Sequence, residues 1–112
     1  MPDQPNSPKN RQFLIIAATR SPPLFALGHI VATPGALDLL DRLGINASTL
    51  LARHQQGDWG DICREDAATN TWAVQAGERL LSAYVLGKPH ERLWIITEHD
   101  RSVTTLLLPE EY

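Results

Sequence analysis

The sequence predicts an α+β domain: three short helices packed on an antiparallel β-sheet of about four strands, with a β-meander at the C-terminal end. Three observations lead there. Two β-rich runs, residues 93–97 and 103–108, flank a tight polar break at 98–102, which is the pattern of a β-hairpin. The apolar period lengthens from about two to about 3.6 residues at Thr33-Pro34. Gly44, Gly57 and Gly77 each close a run with helical spacing.

Residues 1–10 carry three prolines among polar residues. The segment 1–23 as a whole predicts a disordered or variable extension. Within it, residues 13–18 form an apolar run that suits a short strand or a helical turn equally well. Ser21-Pro22-Pro23 ends that run. A single domain is expected over 24–112. Residues 24–32 predict its first strand, with Phe25, Leu27, His29 and Val31 on one face. Gly28 in its middle marks a bulge or a close approach of another backbone.

Thr33 and Pro34 provide a cap and a first-turn proline for a helix whose apolar face is Ala36, Leu37, Leu40 and Leu43. Asn46 caps the next helix, with Ile45 and Leu50 placed as a hydrophobic staple. Asp61 is the expected cap of a third helix reaching about residue 76. Ile62, Asp66, Asn70 and Ala73 fall on one of its faces. Residues 80–86 are the next strand, 87–91 a loop, and the hairpin completes the meander.

Composition excludes several classes. In 112 residues, 43% are hydrophobic and 21% charged, which is ordinary for a globular domain able to bury its own core. The net charge of −3 argues against a strongly phosphate-driven nucleic-acid binder. A single cysteine, Cys63, forbids an internal disulfide and suits a reducing compartment. It is expected to be a core thiol. The apolar run at 13–18 is too short for a secretory signal, and no run approaches a membrane span. A cytoplasmic location is expected, with no cofactor, no membrane association and no metal site, since no His or Cys pair has ligand spacing. The helix pair over 34–56 offers only Arg53 and His54 as DNA contacts, fewer than a recognition helix usually presents.

The candidate chemistry lies on the sheet. If the faces coincide, Tyr84, Trp94, Glu98, Arg101 and Thr104 are displayed together. A carboxylate, a guanidinium and a stacking ring are what a metal-independent ribonuclease needs. His29 suits the same scheme as acid or base. The plainer alternative is that Glu98, Asp100 and Arg101 only close a turn. Asp58 and Trp59, with Gly60 and Asp61, form a compact loop that either caps the third helix or receives a ligand. Asp66 and Asn70, one helical turn apart, either bond that loop or a strand end, or extend the binding site.

Specific runs resemble a known family. These are Gly28-His-Ile-Val-Ala-Thr-Pro-Gly-Ala-Leu37, Gly57-Asp-Trp-Gly-Asp61, Glu65-Asp66 with Asn70, Leu81-Ser-Ala-Tyr84, and Trp94 to Glu98 running on to Tyr112. From about residue 24 to the C-terminus the chain resembles small bacterial proteins labelled plasmid-related, some of them called a type I restriction enzyme subunit. The resemblance implies carriage on plasmids, phages or integrated elements. At the level of fold, helices followed by an antiparallel meander are also similar to barnase/RelE-like nucleases. Two hypotheses follow. The first is a non-catalytic protein-interaction or regulatory module with a protein partner, in which a homodimer is one arrangement. The second is a ribonuclease-like toxin, or a decayed relative of one, that uses Glu98, Arg101, His29 and Thr104 on RNA.

Overall fold

The computed structural model describes residues 22–112. The expectations for residues 1–21, including a strand or turn at 13–18, lie outside the described residues. The element order is β1 (His29–Ala32), α1 (Pro34–Leu43), α2 (Ala47–Gln55), α3 (Arg64–Ala76), β2 (Leu80–Leu86), β3 (Glu91–Thr97), β4 (Val103–Leu107) and a final 3-10 turn (Pro109–Glu111). The fold class is α+β, and the described residues form three helices and a four-stranded sheet ordered β1-β4-β3-β2.

Local chemistry fixes the helix ends. Thr33 Oγ1 accepts from Ala36 N, and Pro34 occupies the first turn, where its missing N–H costs nothing. At the other end of α1, Gly44 N bonds Asp41 O and Ile45 N bonds Leu40 O. This paired closure also brings the Ile45 and Leu40 side chains into the core. Asn46 caps α2 through Ser48 N. Asp61 does not cap α3. The cap position falls at Cys63, which makes no side-chain cap bond, and Asp61 turns instead to β2. Cys63 is also exposed rather than a core thiol, because the helix begins at the surface, beyond the Asp61 turn.

The first strand is shorter than its apolar pattern suggests. Residues 24–28 are irregular. Leu24 N bonds Gln55 O, and Phe25 turns into the core. Gly28 has φ +65°, and a Cβ there would collide with the Ser102 carbonyl. Only a glycine lets the chain pass this close before entering the sheet. His29 and Val31 do not share the buried face of Phe25; both are exposed. β1 runs parallel to β4, so the sheet is mixed, although β2-β3 and β3-β4 are antiparallel.

Register decides which side chains are buried. Tyr84 pairs with Leu93, Ser82 with Ile95, Ile95 with Leu106, and Thr97 with Thr104. Cross-strand partners share a face, so these residues form one surface. Ala36, Leu39 and Leu40 of α1 and Leu50 and Leu51 of α2 pack on it. Phe25, Trp59, Leu80 and Ala73 of α3 extend the core on the same side. The opposite face carries Ala83, Trp94, Ile96 and Leu107, and there Tyr112 packs edge-on against Trp94. The Glu111 carboxylate binds Thr33 Oγ1, Gly35 N and Leu108 N. It thereby ties the last turn to the positive end of α1.

The two sheet edges differ. Along β2, Leu81 N donates to Asn70 Oδ1 at 3.2 Å, and Asn70 Nδ2 donates to Leu81 O at 2.7 Å. Ala83 N donates to Trp59 O at 3.0 Å, and Asp61 N donates to Ala83 O at 2.6 Å. Val85 N reaches Asp61 Oδ2. The Asn70 amide thus acts as one peptide unit of a fifth strand, and the 59–61 loop supplies the next through the Gly60–Ala83 bridge. Gly60, at φ +77°, is required because a Cβ would strike the Ala83 carbonyl. Replacing Asn70 with alanine is expected to cost about 2 kcal/mol by orphaning both Leu81 groups. Urea titration would measure the loss, and amide exchange at Leu81 should accelerate with it.

Candidate functional site

The β1 edge carries no comparable cover among the described residues. His29 N bonds Ser102 O, just before β4, and Thr33 N bonds Leu106 O of β4. Strand alternation therefore turns the main-chain groups of Ile30 and Ala32 away from the sheet. The strand His29-Ile30-Val31-Ala32 contains no Lys, Asp, Glu or Pro, the residues that usually blunt an edge. Ile30 and Val31 are 51% and 48% exposed. Hydrophobic side chains and outward-facing backbone donors and acceptors thus coincide on one rim, which is the composition of a strand-addition surface.

Most of the polar residues expected on the sheet are placed elsewhere. Thr104 is fully buried and donates to Leu27 O at 2.7 Å. Tyr84 is buried on the helix-covered face, opposite to Trp94. Its hydroxyl donates to Asp58 O at 2.7 Å, and burial raises its pKa to about 12. Asp58 pairs with Arg53 at 2.6 Å, and this hydrogen bond holds the Asp58 carboxyl below its usual range. The Arg53 guanidinium lies 4.6 Å from the Tyr84 ring centre. Trp59 is a core residue stacked against Phe25. Asp66 is exposed, whereas Asn70 one turn later is buried against β2.

Arg101 stands at φ 61°, a conformation that disfavours a side chain. Its guanidinium donates to Ala73 O at 2.9 Å, to Glu98 O at 3.2 Å and to Glu78 O. It also lies over the Phe25 ring. This cation binds the Ala73 carbonyl in the last turn of α3 and is engaged in holding the hairpin to that helix. His29 is exposed on β1, at the sheet edge opposite β2.

Glu98 pairs with a different arginine, Arg79, at 3.5 Å. Arg79 Nη1 donates to the Tyr112 hydroxyl at 2.8 Å, and Tyr112 meets Trp94 with ring centres 5.7 Å apart. The structure therefore brings Trp94, Tyr112, Arg79 and Glu98 into one connected cluster with exposed members. Arg79 and Tyr112 are not legible in the sequence as partners of Glu98. They precede β2 and follow the last turn, and only the sheet unites them.

A second feature that the sequence conceals is buried. His54 Nδ1 lies 2.6 Å from Ser82 Oγ, and Nε2 lies 2.9 Å from Thr97 Oγ1, which is 2.7 Å from Thr104 Oγ1. All four residues are fully buried. The proton order follows from one end. Thr104 gives its hydrogen to Leu27 O, so Thr97 donates to Thr104 and His54 Nε2–H donates to Thr97. A neutral imidazole then accepts from Ser82 at Nδ1. Burial, followed by the charge of Arg101, lowers the His54 pKa to about 4, so the ring is neutral at pH 7. The chain satisfies every side-chain member and joins α2, β2, β3, β4 and the entry segment.

Among the described residues there is no group of three or more His, Cys, Asp or Glu side chains able to hold a metal ion. Among them, too, no helix is long and apolar enough to cross a membrane. Comparison of the chain with protein-family models, with curated proteins and with solved structures finds no match.

Proposed function

We propose that this chain is a non-catalytic protein-interaction or regulatory module of a plasmid, phage or integrated element, acting in the cytoplasm, and that it engages a protein partner through the β1 edge. The observation that carries this reading is the asymmetry of the sheet: β2 is closed by Asn70, Trp59 and Asp61, while β1 presents Ile30, Val31 and two outward-facing peptide units. The engagement of Arg101, Thr104 and Tyr84 in holding the fold adds support. The setting rests on the resemblance of residues 24–112 to plasmid-related proteins. In the test, the immobilised full chain is compared with Val31→Lys for retention of a host protein after nuclease treatment. Retention by the wild type, lost in a variant of unchanged melting temperature, is the expected result. Retention indifferent to Val31→Lys overturns the choice of edge.

One observation favours a second reading, RNA binding or cleavage. Trp94, Tyr112, Arg79 and Glu98 form a joined set of rings, cation and carboxylate, the group types that stack a base and act at a phosphate. Under the first reading, purified protein leaves a labelled single-stranded RNA uncleaved. Cleavage abolished by Glu98→Gln and by Arg79→Ala would establish the second reading instead.

A further inference from the structure

We propose that the occupant of the β1 edge is the β1 edge of a second copy of this chain, forming a two-fold dimer with one continuous eight-stranded sheet. This deepens the interaction reading above and rests on it. Three features carry it.

The first is the hydrogen-bond pattern. The outward-facing peptide units belong to Ile30 and Ala32, placed symmetrically about Val31. If a two-fold axis passes through Val31, Ile30 of each copy exchanges both main-chain bonds with Ala32 of the other. The four bonds of an antiparallel ladder result, and no donor or acceptor of those two residues is left over.

The second feature is side-chain fit. In this register Val31 faces its own symmetry mate in the closely spaced, non-hydrogen-bonded position. Each Ile30 lies beside the small Ala32 of the other copy, a large-to-small pairing. The outer members, His29 and Thr33, sit opposite one another, so no like charges oppose across the strand. Ile30 and Val31, about half exposed in the single chain, would be covered.

The third feature is closure. The other edge of the sheet is occupied by the chain's own Asn70, Trp59 and Asp61. Among the described residues each copy therefore offers one edge for pairing, and assembly stops at two copies instead of propagating as a fibre. A four-residue strand makes a small interface, so association belongs to the weak, concentration-dependent class.

Sedimentation velocity of the full chain, from low micromolar to near-millimolar concentration, tests the proposal. A reversible monomer–dimer equilibrium is expected, together with slowed amide exchange at Ile30 and Ala32 only where dimer is populated. Ile30→Pro removes an outward N–H while leaving the bonds to β4, which the inward-facing residues 29, 31 and 33 make. It is expected to weaken dimerisation by about 10- to 100-fold through two lost ladder bonds. Val31→Lys, which needs no special backbone angle, is expected to do the same by placing two ammonium groups at the axis. A monomer at every concentration overturns the proposal, as does a dimer that both variants leave intact. Protection of Ile30 and Ala32 in the monomer also overturns it, because the chain would then cover its own edge. If the full chain stays monomeric yet retains a host protein in a Val31-dependent way, the self-pairing falls and the interaction reading stands.

Discussion

Replacing His54 with alanine is expected to remove about 3–5 kcal/mol of stability. The imidazole is fully buried and bridges Ser82 to Thr97. Truncation opens a cavity, strands the Ser82 hydroxyl and leaves Thr97 only its bond to Thr104, and both effects cost free energy. It also removes edge contacts to Phe25 and Trp59, whose ring centres lie 5.1 and 5.7 Å away. Differential scanning calorimetry should show the melting temperature falling by roughly 15 °C or more. Thr97→Val, which keeps shape but deletes the links to both His54 and Thr104, should cost less because it opens no cavity. In combination with His54→Ala its effect should be strongly sub-additive, because both act on one network.

The same residue sets an acid limit. In the unfolded chain His54 titrates near its ordinary value of 6.5; in the folded chain it titrates near 4. Between those values the unfolded state binds the proton and the folded state does not, so stability rises with pH across that window. This contribution is complete above about pH 6.5 and declines as pH falls toward 4. A shift of that size corresponds to about 3 kcal/mol. Denaturation midpoints at pH 7 and pH 4.5 would measure it. A His54→Gln variant should lose this part of the pH dependence, and an unchanged slope in that variant would assign the acid sensitivity to other groups.

Arg101→Ala is the second large effect, expected at about 2–4 kcal/mol. The guanidinium serves carbonyls of Ala73, Glu78 and Glu98, and hydrogen bonds from a charged donor are among the stronger ones. The backbone supplies an internal control. At φ 61°, alanine keeps the strain while glycine relieves it by about 1 kcal/mol. Arg101→Gly should therefore be the more stable of the two truncations, despite its more flexible unfolded chain. Arg101→Lys should not rescue, since an ammonium lacks the planar fork that spans separated carbonyls. Chemical denaturation of the three variants decides the order.

The legible parts of the fold are those written in local chemistry. Thr33-Pro34, Gly44, Asn46 and Gly77 mark helix ends because capping depends on residues within one turn. β2 is visible at its true limits as a run of β-formers between Arg79 and Gly87. The pattern over-extends β1 because Phe25 and Leu27 continue an apolar alternation that their backbone does not continue as a strand. Asp61 misleads because a carboxylate shortly before a helix has the composition of a cap, yet a strand edge competes for it and wins. The candidate site is less legible still. Glu98 and Trp94 belong to an exposed cluster, but their partners Arg79 and Tyr112 are distant in sequence. Arg101 and Thr104 carry the polarity of site residues and are engaged inside the fold.

By itself the sequence determined the fold class, the three helices and the hairpin, because period, capping and turn chemistry act over a few residues. Only the tertiary structure decided the parallel pairing of β1, the closure of the β2 edge and the use of each polar group. Those depend on register, and a one-residue change of register exchanges the buried and exposed faces of a strand. His54 shows the difference most clearly. In sequence it is one histidine near a helix end; in the fold, Ser82 and Thr97 reach it from two strands and make it the centre of the core's polar network.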